Sequence, residues 1–249
     1  MIYNSSGDFM EDIKILQKLI DESKNIVFFG GAGVSTASGI PDFRSKDGLY
    51  NLNYKYPPEE ILEHNFFMNN PKEFYEFYIS KLNCLDKKPN ICHKYLTDLE
   101  KCGKLKAIIT QNIDSLHTKA GSKNVLELHG SIYRNHCLKC GKSYEPEYIF
   151  NSNNVPTCNC GGIIKPDVTL YGERLNDNVV NETILALSKA DLLIIAGTSL
   201  NVYPARNFIN YFNGNKIVII NLDNTPYDNI ATLVIHKPIT DVFKELKTE

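Results

Sequence analysis

Short apolar runs that alternate with amphipathic segments are the main pattern of this 249-residue chain. The runs are rich in β-branched side chains, as the buried strands of a parallel sheet are. We expect strands over residues 25–30, 107–110, 125–128, 192–196, 217–220 and 233–235. Because helical patterns lie between several of these runs, the chain is predicted to form an α/β domain with a doubly wound, Rossmann-like parallel sheet.

Three other kinds of segment are visible between the predicted strands. Helices are expected over residues 9–23, through most of 58–102, and over 179–189 and 205–211. Residues 45–56 are polar and tyrosine-rich, and we expect a long loop that orders over a ligand. From residue 136 to about 164 the alternation stops, and cysteine, glycine and asparagine dominate. This last stretch is predicted to be an insertion.

The overall charge of the chain bears on its binding partners and says little about its chemistry. A net charge of -2 and a pI near 6.3 give no reason to expect binding to nucleic acid or to a membrane surface. No apolar run approaches the roughly 20 residues that cross a bilayer. The N-terminus has no basic segment followed by an apolar one. A cytoplasmic location is the expectation.

A glycine-rich segment follows the first predicted strand and reads GAGVSTASGIPDFR over residues 31–44. A helix starting at such a turn would direct its positive end at a phosphate, so the segment suits a pyrophosphate. The spacing is not Gly-x-Gly-x-x-Gly, and no acidic residue lies about twenty positions further on to hold a ribose. These absences argue against an ordinary dehydrogenase. Taken alone, a glycine turn after a strand is also compatible with a simple tight turn.

Four of the seven cysteines form two close pairs, Cys137 with Cys140 and Cys158 with Cys160, separated by 17 residues. Two such pairs suit the four soft ligands of a zinc ribbon. Four thiolates leave no open position on the ion, so the zinc is expected to be structural. Two disulfides, free thiols, and His136 in place of one cysteine are the alternatives. The scattered Cys84, Cys92 and Cys102 are expected to be packing residues.

Polar residues follow two of the predicted strands. Gln111, Asn112 and Asp114 come after one, and His129 comes after the next. Open α/β sheets bind ligands beyond the carboxyl ends of their strands. A histidine at such a position suits general-base catalysis because its ordinary pKa is near neutrality.

Together these segments resemble the sirtuins, a family of NAD-dependent protein deacylases. The matching segments are Gly-Ala-Gly at 31–33, Ile-Pro-Asp-Phe-Arg at 40–44, Gln-Asn-Ile-Asp at 111–114, Leu-His-Gly at 128–130, Tyr-Gly-Glu at 171–173, Gly-Thr-Ser at 197–199 and Asn221. They occur in the family's order over roughly residues 10–245. Two departures stand out: the second cysteine pair is Cys-x-Cys rather than Cys-x-x-Cys, and Tyr171 replaces the usual phenylalanine.

The resemblance implies a bacterial-type NAD-dependent protein-lysine deacetylase with NAD as co-substrate and one structural Zn²⁺. Its implied catalytic residues are His129, which takes a proton from a ribose hydroxyl, and Asn112, which lies near the reacting ribose. The implied NAD-binding residues are Gly31, Ala32, Gly33, Thr36, Asp42, Phe43, Arg44, Gln111, Asn112, Ile113, Asp114, His129, Gly197, Thr198, Ser199, Asn221, Leu222 and Ile239. The implied zinc ligands are Cys137, Cys140, Cys158 and Cys160.

The resemblance also implies a cleft for an acylated peptide, bordered by Val168, Tyr171, Gly172, Glu173, Asn201, Val202 and Tyr203. The peptide would add as a strand between two segments of the chain. The branch of the family that removes acidic acyl groups carries Tyr-x-x-Arg, whereas the corresponding stretch here is Tyr-Glu-Phe-Tyr at 75–78. An uncharged acyl group, acetyl first, is therefore expected. Plain core packing is the alternative role for these tyrosines.

The same resemblance divides the chain into three parts. Residues 1–44, 103–132 and 165–249 are expected to form the NAD-binding domain. Residues 45–102 would form a cofactor-binding loop and a helical module, and residues 133–164 a zinc-ribbon module, both within a smaller domain. A monomer is expected.

Two other functions were weighed against deacylation. An ADP-ribosyltransferase would need a similar NAD-cleaving site, and labelled NAD would distinguish it by label retained on protein. A non-enzymatic zinc-ribbon scaffold that senses NAD would have no need of Asn112, Asp114 and His129 together.

Overall fold

The structure is a computed structural model that describes residues 8–43, 48–51, 54–201 and 203–248. In this part of the chain the helices are α1 (Phe9–Glu22), α2 (Pro58–Ile61), α3 (His64–Asn69), α4 (Pro71–Lys81), α5 (Ile91–Lys101), α6 (Leu116–Ala120), α7 (Pro146–Phe150), α8 (Asp177–Lys189) and α9 (Ile239–Glu245). The strands are β1 (Ile26–Gly30), β2 (Leu105–Thr110), β3 (Val125–Glu127), β4 (Gly130–Cys137), β5 (Ser143–Tyr144), β6 (Ile164–Val168), β7 (Leu192–Ala196), β8 (Lys216–Ile220) and β9 (Leu233–Ile235).

Six of the strands form one parallel sheet in the order β3-β2-β1-β7-β8-β9. All six predicted apolar runs are confirmed as its strands. Every residue of β1 and β7 is buried, which explains why these runs are continuously apolar rather than alternating. Strands β2 and β3 lie on one side of β1, and strands β7, β8 and β9 lie on the other. The direction in which successive strands are added (the winding) therefore reverses between β1 and β7.

Helices cover both faces of this sheet. One buried cluster joins α1, α5 and α9 to the sheet through residues such as Leu16, Leu96 and Phe243. A second cluster covers the opposite face and includes Leu187 of α8 and Phe208. The doubly wound α/β fold with a smaller appended domain is therefore confirmed.

The helix boundaries follow from local sequence signals. Asp8 caps α1 by accepting a hydrogen bond from the N–H of Met10 at 2.9 Å. Asn90, the residue after Pro89, forms a capping box with His93 at the start of α5. Pro71 occupies the first turn of α4, where its missing N–H costs nothing.

One expectation about the glycine turn needs correction. Among the described residues directly after the turn there is no α-helix: the chain instead forms two 3-10 turns, Ala32–Val34 and Thr36–Ser38, and Gly39 ends the second with φ +80°. A phosphate here would therefore not meet the end of a long helix dipole. The segment Ala205–Tyr211 is helical as predicted, and it is a 3-10 helix.

The smaller domain has its own sheet and its own core. Strands β5, β4 and β6 form an antiparallel sheet in that order, and it extends from Gly130 to Val168. Helices α2, α3, α4 and α7 pack on it through an aromatic core that includes Phe67, Phe74 and Phe150. Of the predicted loop at 45–56, residues 45–47 and 52–53 lie outside the described residues. Leu49–Asn51 form a 3-10 turn. No helix of the described chain is long and apolar enough to cross a membrane.

Candidate active site

A cavity of about 880 Å³ opens at the carboxyl edge of the large sheet, beside the point where the winding reverses. The residue that follows each of four neighbouring strands lines it: Gln111 after β2, Gly31 after β1, Gly197 after β7 and Asn221 after β8. This is where open α/β sheets bind nucleotides, because the diverging loops leave a crevice.

The glycines of the turn permit close contact between two loops. A Cβ on Gly31 would lie 2.7 Å from Cβ of Thr198, and one on Gly33 would lie 2.7 Å from Cα of Gly197. The N–H groups of Gly31 and Gly33 donate to Ala196 and Gly197, at 3.1 and 2.9 Å. These two glycines therefore join the turn to the end of β7, and their N–H groups are not available to a phosphate.

Ser35 connects the two polar residues expected at the nicotinamide end. Its hydroxyl donates to Oδ2 of Asp114 at 2.6 Å and accepts from Nδ2 of Asn112 at 3.1 Å. Oδ1 of Asp114 accepts from the N–H of Leu116 at 2.8 Å. Burial raises the pKa of Asp114 despite these two hydrogen bonds. Ser35 is not among the residues predicted from the sequence, because a serine in a glycine-rich turn carries no distinctive signal.

His129 faces the same cavity in a defined tautomer. Its Nδ1 lies 3.0 Å from the carbonyl oxygen of Gln111. A carbonyl only accepts, so Nδ1 carries the proton and Nε2 keeps its lone pair. Burial lowers the pKa of His129, while the bond to Gln111 opposes that shift. The imidazole is therefore neutral at pH 7 and can act as a base.

Side-chain hydrogen bonds order the other end of the cavity. Nε2 of Gln111 donates to the Thr198 hydroxyl at 3.1 Å, and Nδ2 of Asn221 donates to the carbonyl of Asp223 at 2.8 Å. Asp223 and Lys237 also line this end and were not foreseen.

The segment that continues β6 forms the side of the cavity that the resemblance assigns to the peptide, called the peptide side below. Val168, Tyr171, Gly172 and Glu173 all line it. The Tyr171 hydroxyl lies 2.6 Å from that of Tyr50, which lines the same cavity. The hydroxyl that distinguishes Tyr171 from the family's phenylalanine thus has a partner.

Tyr75 and Tyr78 do not line the cavity. The Tyr75 hydroxyl donates to the carbonyl of Ile164, and the Tyr78 ring stacks between Phe74 and Phe150. Both tyrosines are core residues. Among the described residues that line the cavity, Lys237 is the single lysine or arginine.

Most of the NAD-binding and peptide-binding residues that the resemblance implies line the one cavity, with four exceptions. Asp114 is buried behind Ser35, and Asn201 is exposed outside the lining. Arg44 and Val202 lie outside the described residues. The cavity-lining members are Gly31, Ala32, Gly33, Thr36, Asp42, Phe43, Gln111, Asn112, Ile113, His129, Val168, Tyr171, Gly172, Glu173, Gly197, Thr198, Ser199, Tyr203, Asn221, Leu222 and Ile239.

The four paired cysteines converge at one end of the small sheet. Their sulfur atoms all lie within 4.8 Å of one another, with Cys137 and Cys160 at 3.4 Å and Cys140 and Cys158 at 3.6 Å. Sulfurs at the corners of a zinc tetrahedron would be about 3.8 Å apart, given Zn–S bonds of about 2.3 Å. None of the four is joined to another by a disulfide, so the disulfide alternative is wrong. His136 is paired with Asp167 instead of joining the cluster.

Comparison with known proteins identifies the family of this chain. The profile of the Sir2 family matches residues 31–204. The chain belongs to the Sir2 family. An NAD-dependent protein deacetylase of Clostridium acetobutylicum is 54% identical over 239 residues, covering 94% of this chain and 98% of that protein. The deacetylase of Clostridium perfringens is 56% identical over 238 residues, with the same coverage of both chains.

Solved Sir2 structures share the fold over nearly the whole chain. A Sir2 structure with deacetylated p53 peptide and 3′-O-acetyl-ADP-ribose superposes with a TM-score of 0.87 at 40% identity, covering 94% of this chain and 96% of the other. A Sir2 structure with p53 peptide and NAD⁺ gives 0.83 at 40% identity, covering 93% and 95%. The sirtuin resemblance drawn from the sequence is confirmed.

Proposed function

We propose that this chain is an NAD-dependent protein-lysine deacetylase that releases nicotinamide, free lysine and 2′-O-acetyl-ADP-ribose. The single observation that carries the proposal is one cavity that is lined by a neutral His129, by Asn112 and by the glycine turn after β1. The side chain of Asn112 is held by Ser35. The identity of 54% to a bacterial deacetylase over nearly both whole chains supports the proposal.

NAD would lie along the carboxyl edge of the sheet. Gly31 and Ala32 would border its pyrophosphate, and Thr198, Ser199 and Asn221 would contact the phosphate and adenosine end. Ile239 would lie near adenine. The lining of the cavity and its place at the winding reversal fit such a dinucleotide.

The nicotinamide end would be organised by Asn112, Ile113 and Asp114. Asn112 would present a polar wall to the positive charge that develops on the ribose as nicotinamide leaves. Its side chain is already oriented by Ser35, so little reorganisation accompanies the reaction. Phe43 would cover this end and keep the departed base from returning.

His129 would act after nicotinamide has left. The acyl oxygen of the lysine is a weak nucleophile, so it must first be aligned with C1′ of the ribose. As nicotinamide leaves, the acyl oxygen would bond C1′ and give an imidate. Nε2 of His129 would then take a proton from a ribose hydroxyl, which attacks the imidate carbon. The carbonyl of Gln111 holds the other ring nitrogen and stabilises the imidazolium that results. Water would complete the reaction as the C–N bond breaks and lysine leaves with the acetyl group remaining on the ribose.

An uncharged acyl group fits the peptide side of the cavity. The wall there is formed by side chains such as Leu62, Val168 and Leu170. No lysine or arginine of the described residues lines this wall to pair with an acidic acyl group. Acetyl-lysine on a protein or peptide is therefore the proposed substrate.

Zinc would have a structural role in this enzyme. Four cysteine sulfurs would fill the tetrahedral coordination sphere of a zinc ion and leave no position for substrate. Cysteines without disulfides agree with a reducing compartment, and a cytoplasmic location is part of the proposal. A monomer is proposed with it. The domain division at residues 45–102 and 133–164 is proposed with it, although the small sheet extends beyond 133–164 at both ends.

Mass spectrometry of an acetyl-lysine peptide, incubated with the purified chain with and without NAD, tests the proposal. We expect NAD-dependent loss of acetyl and formation of acetyl-ADP-ribose. His129→Ala should form no free lysine but should still exchange labelled nicotinamide into NAD, because the base acts after nicotinamide departs. ADP-ribose retained on protein, with acetyl-lysine intact, would instead identify an ADP-ribosyltransferase.

A further inference from the structure

Residues 168–173 form the peptide-side wall of the cavity. The carboxylate of Glu173, the last of these residues, holds this wall in place. Oε2 of Glu173 accepts hydrogen bonds from the N–H of Leu170 at 2.9 Å and from Nζ of Lys165 at 3.1 Å. Oε1 lies 2.8 Å from Nδ1 of His64. Three donors from three parts of the chain therefore converge on one carboxylate.

The ion pair at the centre of this arrangement is largely shielded from water. The side chain of Lys165 is 10% exposed and that of Glu173 is 19% exposed. Nζ of Lys165 also donates to the carbonyl of Val168 at 2.9 Å. Since water does not readily replace hydrogen bonds at such a site, the pair fixes the shape of the segment from Val168 to Glu173.

A second set of bonds ties this segment to the helical module. The backbone N–H of Tyr171 donates to the carbonyl oxygen of Leu62, and the backbone N–H of His64 donates to the carbonyl oxygen of Tyr171, both at 2.9 Å. His64 therefore holds the segment twice, through its backbone and through the contact of its ring with Glu173. The peptide-side wall is thus clamped between β6 and the start of α3.

We propose that Glu173 is a positioning residue for the substrate peptide. Its carboxylate holds residues 168–173 in the shape that admits acyl-lysine, and both of its oxygens are occupied within the protein. A lysine or arginine of the peptide is therefore not its partner. This inference rests on the proposed function, because it assigns the segment to peptide binding.

Glu173→Gln removes the charge and one acceptor, so the segment should lose its fixed shape. We expect the KM for an acetyl-lysine peptide to rise about tenfold, the factor that a lost charge-assisted hydrogen bond gives. The KM for NAD should change by less than about twofold, because the hydrogen-bond partners of Glu173 (His64, Lys165 and Leu170) are not among the proposed NAD-binding residues. Glu59→Gln is the matched control: its exposed side chain forms no ion pair among the described residues.

A second variant separates positioning from a general loss of stability. Glu173→Gln leaves Lys165 as a buried, unpaired cation, which lowers the melting temperature. Glu173→Gln with Lys165→Met removes both charges and should recover that temperature while the peptide KM stays high. A peptide KM that is unchanged in the folded single variant would overturn the inference. So would peptide and NAD KM values that rise together in the double variant.

Amide hydrogen exchange makes the test independent of turnover. The amides of Leu170 and Tyr171 should exchange about ten times faster in Glu173→Gln than in the wild type, in the absence of substrate. Equal exchange rates would contradict the clamp. If the variant shows this faster exchange but the wild-type chain does not deacetylate the peptide, the result contradicts the proposed function and leaves the clamp standing.

Discussion

His129 sets the pH dependence expected of catalysis. Burial lowers its pKa, so the folded enzyme holds the neutral imidazole at pH 7 and loses it only under more acidic conditions. We expect kcat/KM to be flat near neutrality and to fall below a pH of about 6.5, the ordinary histidine value. A pH–rate profile measures this limb. An apparent pKa above the ordinary value would show that a different group limits the reaction.

Ser35 is the residue whose loss should be most informative beside the base. Ser35→Ala removes the hydroxyl that orients Asn112 and holds Asp114. We expect kcat to fall roughly ten- to a hundredfold, the range for a lost preorganised polar contact. The melting temperature should fall as well, because the buried Asp114 and Asn112 side chains lose a hydrogen-bond partner. Ser188→Ala on α8 is the control, since its hydroxyl bonds only its own helix. Full activity in Ser35→Ala would mean that Asn112 needs no such support.

Tyr171 tests whether the departure from the family's phenylalanine matters. Tyr171→Phe removes one hydroxyl from an exposed pair with Tyr50. Exposed hydrogen bonds contribute little, so the peptide KM should change by less than about threefold. Steady-state kinetics with acetyl-lysine peptide measures this, and a larger change would assign the hydroxyl pair a role in peptide selection.

The residues that sequence reasoning could and could not supply differ in their chemistry. His129 and Asn112 follow strand ends and match a family motif, so their meeting in one cavity was predictable. Ser35 and Lys165 have common side chains without a motif of their own. Contacts such as that of His64 with Glu173, 109 positions away, depend on tertiary folding that no local pattern encodes.

At the scale of elements, the large sheet was predictable and the turns were not. Continuous apolar runs identify buried strands because both faces of the sheet are covered. The glycine turn after β1 has no such signal. Its 3-10 geometry depends on the contact of Gly31 and Gly33 with the loop after β7, and on Gly39 at φ +80°.

The four cysteines of the zinc-ribbon module predict that the purified chain binds zinc. Cys158→Ser removes one of four sulfurs within 4.8 Å of each other. We expect the purified wild-type chain to contain one zinc per molecule, and the variant to lose it and melt at a lower temperature. Cys102→Ser, an exposed thiol outside the cluster, should keep the metal. Elemental analysis beside a melting curve decides, and a zinc-free wild type of unchanged stability would contradict the assignment.

At the scale of the whole molecule, two buried histidines should make the fold sensitive to acid. The rings of His93 and His117 lie 4.6 Å apart at their centroids. Burial lowers the pKa of His93 to about 4 and that of His117 well below its ordinary value. In the unfolded chain both histidines titrate near 6.5, so the unfolded state binds more protons below that pH and stability falls.

His93 alone should cost about 2 kcal/mol of unfolding free energy between pH 7 and pH 5. Denaturant unfolding at the two pH values measures the loss. His93→Gln should flatten the pH dependence of stability while lowering stability at pH 7. An unchanged pH dependence in this variant would show that other groups control the acid response.

Transfer of the acetyl group to ADP-ribose is the central claim for the molecule, and a peptide with an isotopically labelled acetyl group tests it most directly. The labelled peptide, the chain and NAD are incubated, and every product is weighed by mass spectrometry. We predict that the label appears on ADP-ribose, in step with the nicotinamide released. Labelled free acetate as the first product, or nicotinamide release with the label still on lysine, would contradict the account.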